Sequence, residues 1–236
     1  LPKWNSAIRE PDAFTALPLQ RDFYSRNIKN AKERTVVIIS DALRYEVGKE
    51  LLQRMQDDPK CTAKLEVQLS VLPSYTRLGM AALLPHSELT MTGDFKVLVD
   101  GLSCENLSER ETILQKYNRD GVCVQFDDIK SLKIADLRSV FTGKQVVYVY
   151  HNQIDARGDK PNTEDEVFVA CQEAVTEIVD LIRRVSTSAI THRFIVTADH
   201  GFIYKRNRLS ESDKIDGIKN KNAFINRRFV VTQEPL

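Results

Sequence analysis

The chain has 236 residues, of which 42% are hydrophobic and 28% charged, with 9 glycines and 8 prolines. This composition excludes collagen-like, low-complexity and disordered chains, and it predicts a globular protein with a sizeable core. The 34 Lys and Arg and 33 Asp and Glu leave a net charge of +1, so no overall field selects nucleic acid or an anionic membrane.

The start of the chain and its cysteines indicate the expected context. The sequence begins at Leu1 without an initiator methionine or a signal-peptide apolar segment, and we therefore expect a piece of a longer, cytoplasmic protein. Apolar runs such as residues 36–39 are far shorter than the about 18 residues that span a bilayer, so no membrane association is predicted. The cysteines are widely spaced and form no CxxC pair, which predicts buried free thiols in a reducing compartment: Cys61, Cys104, Cys123 and Cys171.

The first half of the chain predicts two strand–helix units after a helical lead-in over residues 1–30. The β-branched run 35–39 predicts a strand buried on both faces, and apolar residues spaced by four over 43–55 predict an amphipathic helix directly after it. Residues 65–71 alternate and predict a second strand, and residues 76–84, ended by a proline, predict a short helix. Residues 86–104 fit neither period, apart from a short strand at 95–99 in an insertion whose role the sequence does not define.

The second half continues the alternation. A capping box at residues 108–111 predicts a helix to Tyr117, followed by a strand at 121–126, a helix at 128–140 and a central strand at 145–150. A second capping box at 163–166 precedes a long helix with apolar spacing from 168 to 185, and residues 193–197 predict the last strand. Residues 204–236 carry eight Lys and Arg against four Asp and Glu, which predicts a solvated, loop-rich surface, with attraction of phosphate as the second interpretation.

Strands that alternate with helices predict an α/β fold, in which residues 31–236 form one three-layer α/β/α sandwich with a mostly parallel central sheet. In such folds, ligands bind at the carboxyl ends of the strands. Three predicted strands run into acidic residues there, namely Asp41, Asp155, and Asp199 followed by His200. Because converging like charges repel unless a cation neutralises them, the pattern predicts a divalent metal site. For Asp41 alone, capping of a helix that starts at the next residue is the competing interpretation.

Thr76 is the candidate nucleophile at this edge. It lies at the start of a predicted helix just after the second strand, where its hydroxyl could meet a metal and helix N–H groups. An ordinary helix N-cap is the alternative, and Ser74 competes with Thr76 for either role. Arg44 and Arg77, on the first turns of their helices, are candidates to hold phosphate oxygens bidentately, with surface salt bridges as the alternative.

Two further polar positions stay open. Asp159 follows Asp155 by four residues and is either a second metal carboxylate or an exposed loop residue. His151 either makes hydrogen bonds within its loop or belongs to the site. His86 and His192 have no motif around them and are expected to be structural.

Four motifs carry a family resemblance. The segments IISDALRYEVGKEL, LPSYTRLGMAALLP, VYVYHNQIDARGD and FIVTADHGFIYKR follow one another within residues 35–206. Together they resemble the PglZ domain, a member of the alkaline phosphatase superfamily found in BREX-type bacterial phage-defence systems. The resemblance implies an alkaline-phosphatase-like fold with two metal ions, usually zinc, that hold a Ser or Thr nucleophile and the transferred phosphoryl or sulfuryl group.

The resemblance also implies roles for individual residues. Asp41 corresponds to the first metal ligand, Thr76 to the nucleophile that also contacts metal, and Asp199 with His200 to the ligands that complete that site. Asp155 corresponds to the leading ligand of the second metal.

The chain departs from the superfamily pattern in two places. The superfamily has a His four residues after the leading ligand of the second metal, whereas this chain has Asp159, a hard ligand that admits manganese or magnesium in place of zinc. The superfamily also supplies a later third His, and none follows His200 here. That ligand is expected either beyond Leu236, in which case the isolated segment is inactive, or not at all in this branch.

The implied function is metal-dependent hydrolysis of a phosphate ester, by a phosphodiesterase or phosphatase. Thr76 would attack phosphorus, water would release the phospho-enzyme, and Arg44 or Arg77 would grip the non-bridging oxygens. The expected substrate is a phosphoester, with nucleic acid or nucleotides favoured by analogy, and the expected partners are other BREX proteins. A monoesterase or sulfatase with the same residues is a close rival. The rival from another class is a non-catalytic phosphatase-fold scaffold that docks partner proteins of the defence complex.

Overall fold

A parallel four-stranded sheet forms the centre of the molecule in the computed structural model, which describes residue 6 and residues 17–158, 166–189, 191–204, 223–226 and 229–232. Its strands are ordered β5-β6-β1-β7, while β2, β3 and β4 form an antiparallel sheet and β8 and β9 a hairpin. In chain order the strands are β1 (Thr35–Ser40), β2 (Leu89–Met91), β3 (Val97–Val99), β4 (Leu102–Ser103), β5 (Val122–Gln125), β6 (Val146–His151), β7 (Arg193–Thr197), β8 (Ala223–Ile225) and β9 (Val230–Thr232).

Helices cover both faces of the central sheet. A 3-10 turn at Gln20–Asp22 leads into the first of them. No helix in the part of the chain that the structure describes is long and apolar enough to cross a membrane. In chain order the helices are α1 (Phe23–Asn27), α2 (Tyr45–Gln56), α3 (Thr76–Leu83), α4 (Leu107–Tyr117), α5 (Phe126–Ile129), α6 (Ile134–Phe141), α7 (Gln153–Gly158) and α8 (Val167–Ala189).

Alternation along the central strands divides the core into two halves. Val36 and Ile38 of β1 pack on one face of the sheet with α2, α6 and α8, whereas Val37 and Ile39 pack on the other with α1, α3 and α4. Strands covered in this way have no solvent face, which explains their unbroken β-branched runs. The predicted three-layer α/β/α sandwich with a parallel sheet is therefore confirmed.

The parallel register brings three strand ends to one edge. Ser40 of β1 is aligned with His151 of β6, and Ile39 is aligned with Thr197 of β7. The residues that follow β1 and β7 therefore leave the sheet side by side.

Two predicted elements before residue 112 are wrong in detail. Residues 65–71 form no strand, because Leu69 makes only an isolated bridge to Leu19, and Gln68 meets the edge strand β7 through its side chain. The capping box of α4 is formed by Asn106 and Glu109 and does not begin at residue 108. In the insertion 86–104, the short predicted strand is β3, the middle strand of the antiparallel sheet.

Two predicted helices in the second half have different outcomes. The predicted helix at 128–140 is divided into α5 and α6, because Arg184 donates to the carbonyls of Lys130 and Leu132 between them. The long helix is confirmed as α8, although residues 163–165 of its predicted capping box lie outside the described residues. Residues 205–222 of the basic stretch lie outside them too.

The helical lead-in and the cysteines can also be located. From residue 17 onward the lead-in is described, and Phe23, Tyr24 and Ile28 are buried in the core. All four cysteines are free thiols, and only Cys61 is half-exposed. Burial raises the pKa of Cys104 and Cys171 to about 11 and that of Cys123 to about 12. These three are therefore inert hydrophobic residues, as the spacing predicts.

Candidate metal centre

Asp41 leaves the sheet at the end of β1 and is buried, with only 5% of its surface exposed. Its backbone N–H donates to the carbonyl of His151 at 2.8 Å, which holds it against the neighbouring strand. Helix α2 begins only at Tyr45, with Arg44 in the N-cap position, so the interpretation of Asp41 as a helix cap is wrong. Its side-chain oxygen Oδ1 is buried and accepts no well-aligned hydrogen bond from any residue that the structure describes.

Asp199 follows β7 and is fully buried. Its Oδ1 accepts from the backbone N–H groups of Ala42, at 3.2 Å, and His200, at 2.8 Å, which ties the two strand ends together. Its Oδ2 is buried and has no hydrogen-bond partner among the described residues. Burial, followed by the charge of Asp41, raises the pKa of the Asp199 carboxyl well above its usual range.

His200 is oriented by its own loop. Its Nδ1 donates to the carbonyl of Gly201 at 2.7 Å, because a carbonyl can only accept, and this leaves Nε2 facing the carboxylates. Nε2 lies 3.2 Å from Asp41 Oδ1 and 3.5 Å from Asp199 Oδ2. Burial lowers the pKa of His200, but the contact with Asp41 and the charge of Asp199 outweigh it and raise the pKa to about 9.

The Thr76 hydroxyl completes this arrangement. Thr76 is the first residue of α3, after Tyr75 in the N-cap position, and neither its side chain nor that of Ser74 caps the helix. Its Oγ1 lies 3.0 Å from His200 Nε2, whereas the Ser74 hydroxyl lies 3.4 Å from that of Ser70. The N-cap alternative is therefore wrong for both residues, and Thr76 is the hydroxyl that faces the acidic cluster.

Helix α3 can come this close because of Gly79. A Cβ on Gly79 would lie 2.2 Å from the carbonyl oxygen of Asp199, a separation that no side chain can occupy. Gly79 is one turn after Thr76, on the same face of the helix. Its missing side chain therefore lets the Thr76 end of α3 lie directly against the Asp199–His200 turn.

Asp155 reaches the same cluster from a different element than predicted. Strand β6 ends at His151, and Asp155 lies in α7, so it does not directly follow the strand. The ligand atoms of Asp41, Asp155 and His200 nevertheless all lie within 4.8 Å of one another. The structure thus gathers the leading ligands of both predicted metal positions into one group, while Asp159 lies outside the described residues.

This donor set fits a divalent cation. Two carboxylates and one imidazole nitrogen form the close group, with the Asp199 carboxylate 3.5 Å from His200 Nε2, and zinc and manganese both accept such ligands. In the part of the chain that the structure describes, Asp41 Oδ1 and Asp199 Oδ2 are buried without a well-formed hydrogen bond, and they lie 3.2 Å and 3.5 Å from His200 Nε2. One imidazole carries at most one positive charge against these carboxylates, and buried charge that is not balanced is costly. A bound divalent cation would supply the further charge and the coordination.

Each of the two candidate arginines lies close to a glutamate outside the cluster. Arg44 pairs with Glu46 at 2.8 Å and lies over the ring of Phe202, two residues after His200. Arg77 is exposed, and Glu105 lies 4.0 Å from it. These contacts hold Arg44 near the cluster and leave Arg77 on the surface.

The ring of His151 is fully engaged in hydrogen bonds beside the cluster. Its Nδ1 lies 3.0 Å from the Ser40 hydroxyl and its Nε2 3.0 Å from Glu177 Oε2. His151 therefore belongs to a buried hydrogen-bond network next to Asp41. His86 contacts the carbonyl of Leu84 at 2.7 Å, as expected for a structural residue.

Sequence reasoning missed two residues that shape the cluster. Gly79 had a signal, since a glycine inside a short helix weakens it and points to a close approach. Gln20, whose buried side chain contacts the backbone of Asp199, had none, because an isolated Gln in a predicted lead-in has no recognisable spacing to the motifs.

Comparison with known proteins relates this geometry to a family. The sequence profile described as "BREX system PglZ alkaline phosphatase-like domain" matches residues 23–236. The chain is 38% identical to the alkaline phosphatase-like protein PglZ of Bacillus cereus (strain H3081.97). The alignment is 244 positions long and covers 98% of this chain and 28% of that protein. It is 41% identical to the alkaline phosphatase-like protein BrxZ of Escherichia coli O9:H4 (strain HS). That alignment is 243 positions long and covers 97% of this chain and 28% of that protein. The chain therefore spans little more than a quarter of the length of these curated relatives.

Proposed function

Because the chain belongs to the PglZ family of BREX-system alkaline phosphatase-like domains, we propose that it is a metal-dependent phosphoester hydrolase with the Thr76 hydroxyl as nucleophile. One observation carries the proposal: Thr76 Oγ1 lies 3.0 Å from His200 Nε2, which itself lies 3.2 Å from Asp41 Oδ1 and 3.5 Å from Asp199 Oδ2. A hydroxyl held against a set of metal donors is the arrangement that such a reaction requires.

The metal would be held by Asp41, Asp155, Asp199 and His200. When bound, a divalent cation would supply a Lewis acid that lowers the pKa of the nearby hydroxyl and offsets negative charge on the phosphoryl group. Zinc is the proposed ion, with manganese or magnesium as alternatives because the set is rich in carboxylates. Asp159 is a further proposed ligand because it follows Asp155 by four residues.

The chain's own residues account for the remaining steps. The Thr76 oxygen bonds to phosphorus as the bond from phosphorus to the leaving oxygen breaks, and the alcohol departs with the Thr76 proton. Water then cleaves the phosphothreonine and restores the hydroxyl. Arg44, which lies over Phe202 near the cluster, is proposed to turn from Glu46 toward the phosphate oxygens, and Arg77 is a second candidate.

A phosphodiester in nucleic acid or a nucleotide is the proposed substrate. The support is the excess of eight Lys and Arg over four Asp and Glu in residues 204–236, which favours a polyanion near the domain. Other BREX proteins are the proposed partners, in keeping with the description of the family.

Comparing a phosphomonoester with a phosphodiester tests the function directly. Thr76→Ala should lower hydrolysis of bis-nitrophenyl phosphate by at least about 10³-fold, as loss of a nucleophile does in other hydrolases, while bound metal is retained. Thr112→Ala, an exposed helical threonine, is the matched control and should leave the rate unchanged. A faster rate on nitrophenyl phosphate would reassign the activity to a phosphatase, and equal rates for wild type and Thr76→Ala would exclude Thr76 as the nucleophile.

A non-catalytic scaffold is the second candidate function. The observation that favours it is the position of His200 Nε2, 3.2 Å from Asp41 Oδ1 and 3.5 Å from Asp199 Oδ2, where the imidazole can pair with both carboxylates in place of a metal. A scaffold predicts that Thr76→Ala leaves both assembly with partner proteins and the defence phenotype intact. A catalyst predicts that assembly survives and the phenotype is lost.

A further inference from the structure

Gln20 is a buried polar side chain that connects the loop before α3 to the turn after β7. Only 1% of its surface is exposed. Its Nε2 donates to the carbonyls of Ala198, at 2.9 Å, and Asp199, at 2.7 Å. Its Oε1 accepts from the Ser70 hydroxyl, at 3.2 Å, and the Val71 N–H, at 3.1 Å. All four partners lie within six residues of Thr76 or two residues of His200.

These partners allow only one orientation of the amide. Two carbonyl oxygens can only accept, so they must face the NH₂ group, and the backbone N–H of Val71 must face the oxygen. No other uncharged side chain presents two donors and an acceptor in this arrangement at this length. The site is thus matched to glutamine rather than merely occupied by it.

The side chain is not required to attach its own segment to the domain. The Gln20 N–H already donates to the Leu69 carbonyl at 2.9 Å, and the Leu69 N–H donates to the Pro18 carbonyl at 2.8 Å. Those backbone bonds join residues 18–20 to residue 69 but do not reach the turn after β7. Among the residues that the structure describes, no other side chain forms hydrogen bonds with both residues 70–71 and residues 198–199.

We propose that Gln20 is a positioning residue that fixes the Asp199–His200 turn relative to the Thr76 end of α3. It holds the Asp199 carbonyl from one direction, and Gly79 packs against the same oxygen. With that carbonyl fixed, Asp199 Oδ2 and His200 Nε2 face the cluster at the separation from Thr76 that the structure has. This role rests on the proposed function, since the groups that Gln20 positions are the proposed metal ligands and nucleophile.

Gln20→Met tests the role, because methionine keeps the volume of the side chain and removes both hydrogen-bonding ends. Gln68→Met is the matched control: the Gln68 amide donates to Thr197 Oγ1 at 2.9 Å and so joins the same two regions without contacting residues 198–199. Gln20→Asn is the milder second variant, because its amide is one methylene too short to reach both sides.

Two readouts on the full 236-residue chain separate positioning from simple stabilisation. The first is the NMR signal of the His200 imidazole in metal-free protein, and the second is the dissociation constant for Mn²⁺ from calorimetry. Loss of a group that orients metal ligands typically weakens metal binding about 10- to 100-fold. We expect that loss, with shifted His200 signals, in Gln20→Met and to a smaller degree in Gln20→Asn, whereas Gln68→Met binds Mn²⁺ like wild type.

The outcomes distinguish this role from the proposed function. His200 signals and Mn²⁺ affinity that are the same in the Gln20 variants as in Gln68→Met would overturn the role. If wild type binds neither Mn²⁺ nor Zn²⁺, the proposed function fails, and shifted His200 signals in Gln20→Met alone would still support positioning of the turn. If Gln20→Met does not fold, Gln20→Asn decides by the same two readouts.

Discussion

At Gly79 a single hydrogen atom stands where any other residue would put a carbon. A Cβ there would lie 2.2 Å from the backbone oxygen of Asp199, and backbone atoms cannot move aside as a flexible side chain can. Gly79→Ala should therefore destabilise the folded chain by about 1–3 kcal/mol, measured by chemical denaturation.

Gly48 provides the matched control within helix α2. A Cβ there would lie 3.4 Å from Leu65 Cδ1, which is ordinary contact with a flexible side chain. Gly48→Ala should be neutral or stabilise by up to about 1 kcal/mol, because alanine favours the helix. Equal effects of the two substitutions would show that α3 does not pack against Asp199 as described.

Some residues of the candidate centre could be predicted from the sequence, and others could not. The acidic residues after β1 and β7 could be predicted to meet, because parallel strands end at one edge. Local spacing alone left Ser74 competing with Thr76, since both precede or begin the same helix, and it was the family resemblance that favoured Thr76. Gln20 is distant in sequence from all its side chain's partners, so no local pattern could reveal it.

Among the single elements, helix α4 begins at a different residue in the structure than the sequence pattern predicts. The Asn106 side chain accepts from the Glu109 N–H at 3.0 Å, while Ser108, the cap expected from sequence, is an exposed residue inside the helix. Asn106→Ala should therefore cost about 1 kcal/mol of stability, and Ser108→Ala should cost almost none. A larger loss from Ser108→Ala than from Asn106→Ala would place the start of the helix where the sequence pattern put it.

Regular elements were predictable in proportion to their burial. Strands β1 and β6 and helix α8 carry continuous or strongly periodic apolar residues, because each is buried over most of its length. Residues 65–71 alternate in the same way but make only one backbone bridge, and α5 and α6 are divided by Arg184, which comes from a distant helix. Alternation and periodicity report which side chains are buried, and they carry no information on which backbone groups find partners.

At the scale of the whole molecule, the topology assembles the candidate centre. The order β5-β6-β1-β7 puts β1 between β6 and β7, so Asp41 lies between the segments that carry Asp155 and Asp199. Helix α3, on one face of the sheet, then brings Thr76 to His200. The predicted α/β class was enough to infer this convergence, whereas the distances between these side chains required the structure.

Measuring metal content shows most directly whether this cluster binds a metal ion. The chain is dialysed against Zn²⁺ or Mn²⁺, freed of excess ion and measured by mass spectrometry, beside Asp41→Asn/Asp199→Asn and the exposed control Asp127→Asn/Asp128→Asn. We predict at least about one ion per chain in wild type and in the control, and none in Asp41→Asn/Asp199→Asn, because two buried carboxylates of the cluster would be lost. Wild-type protein that holds neither ion, or a Asp41→Asn/Asp199→Asn variant that keeps it, would contradict the central claim that this cluster is a metal centre.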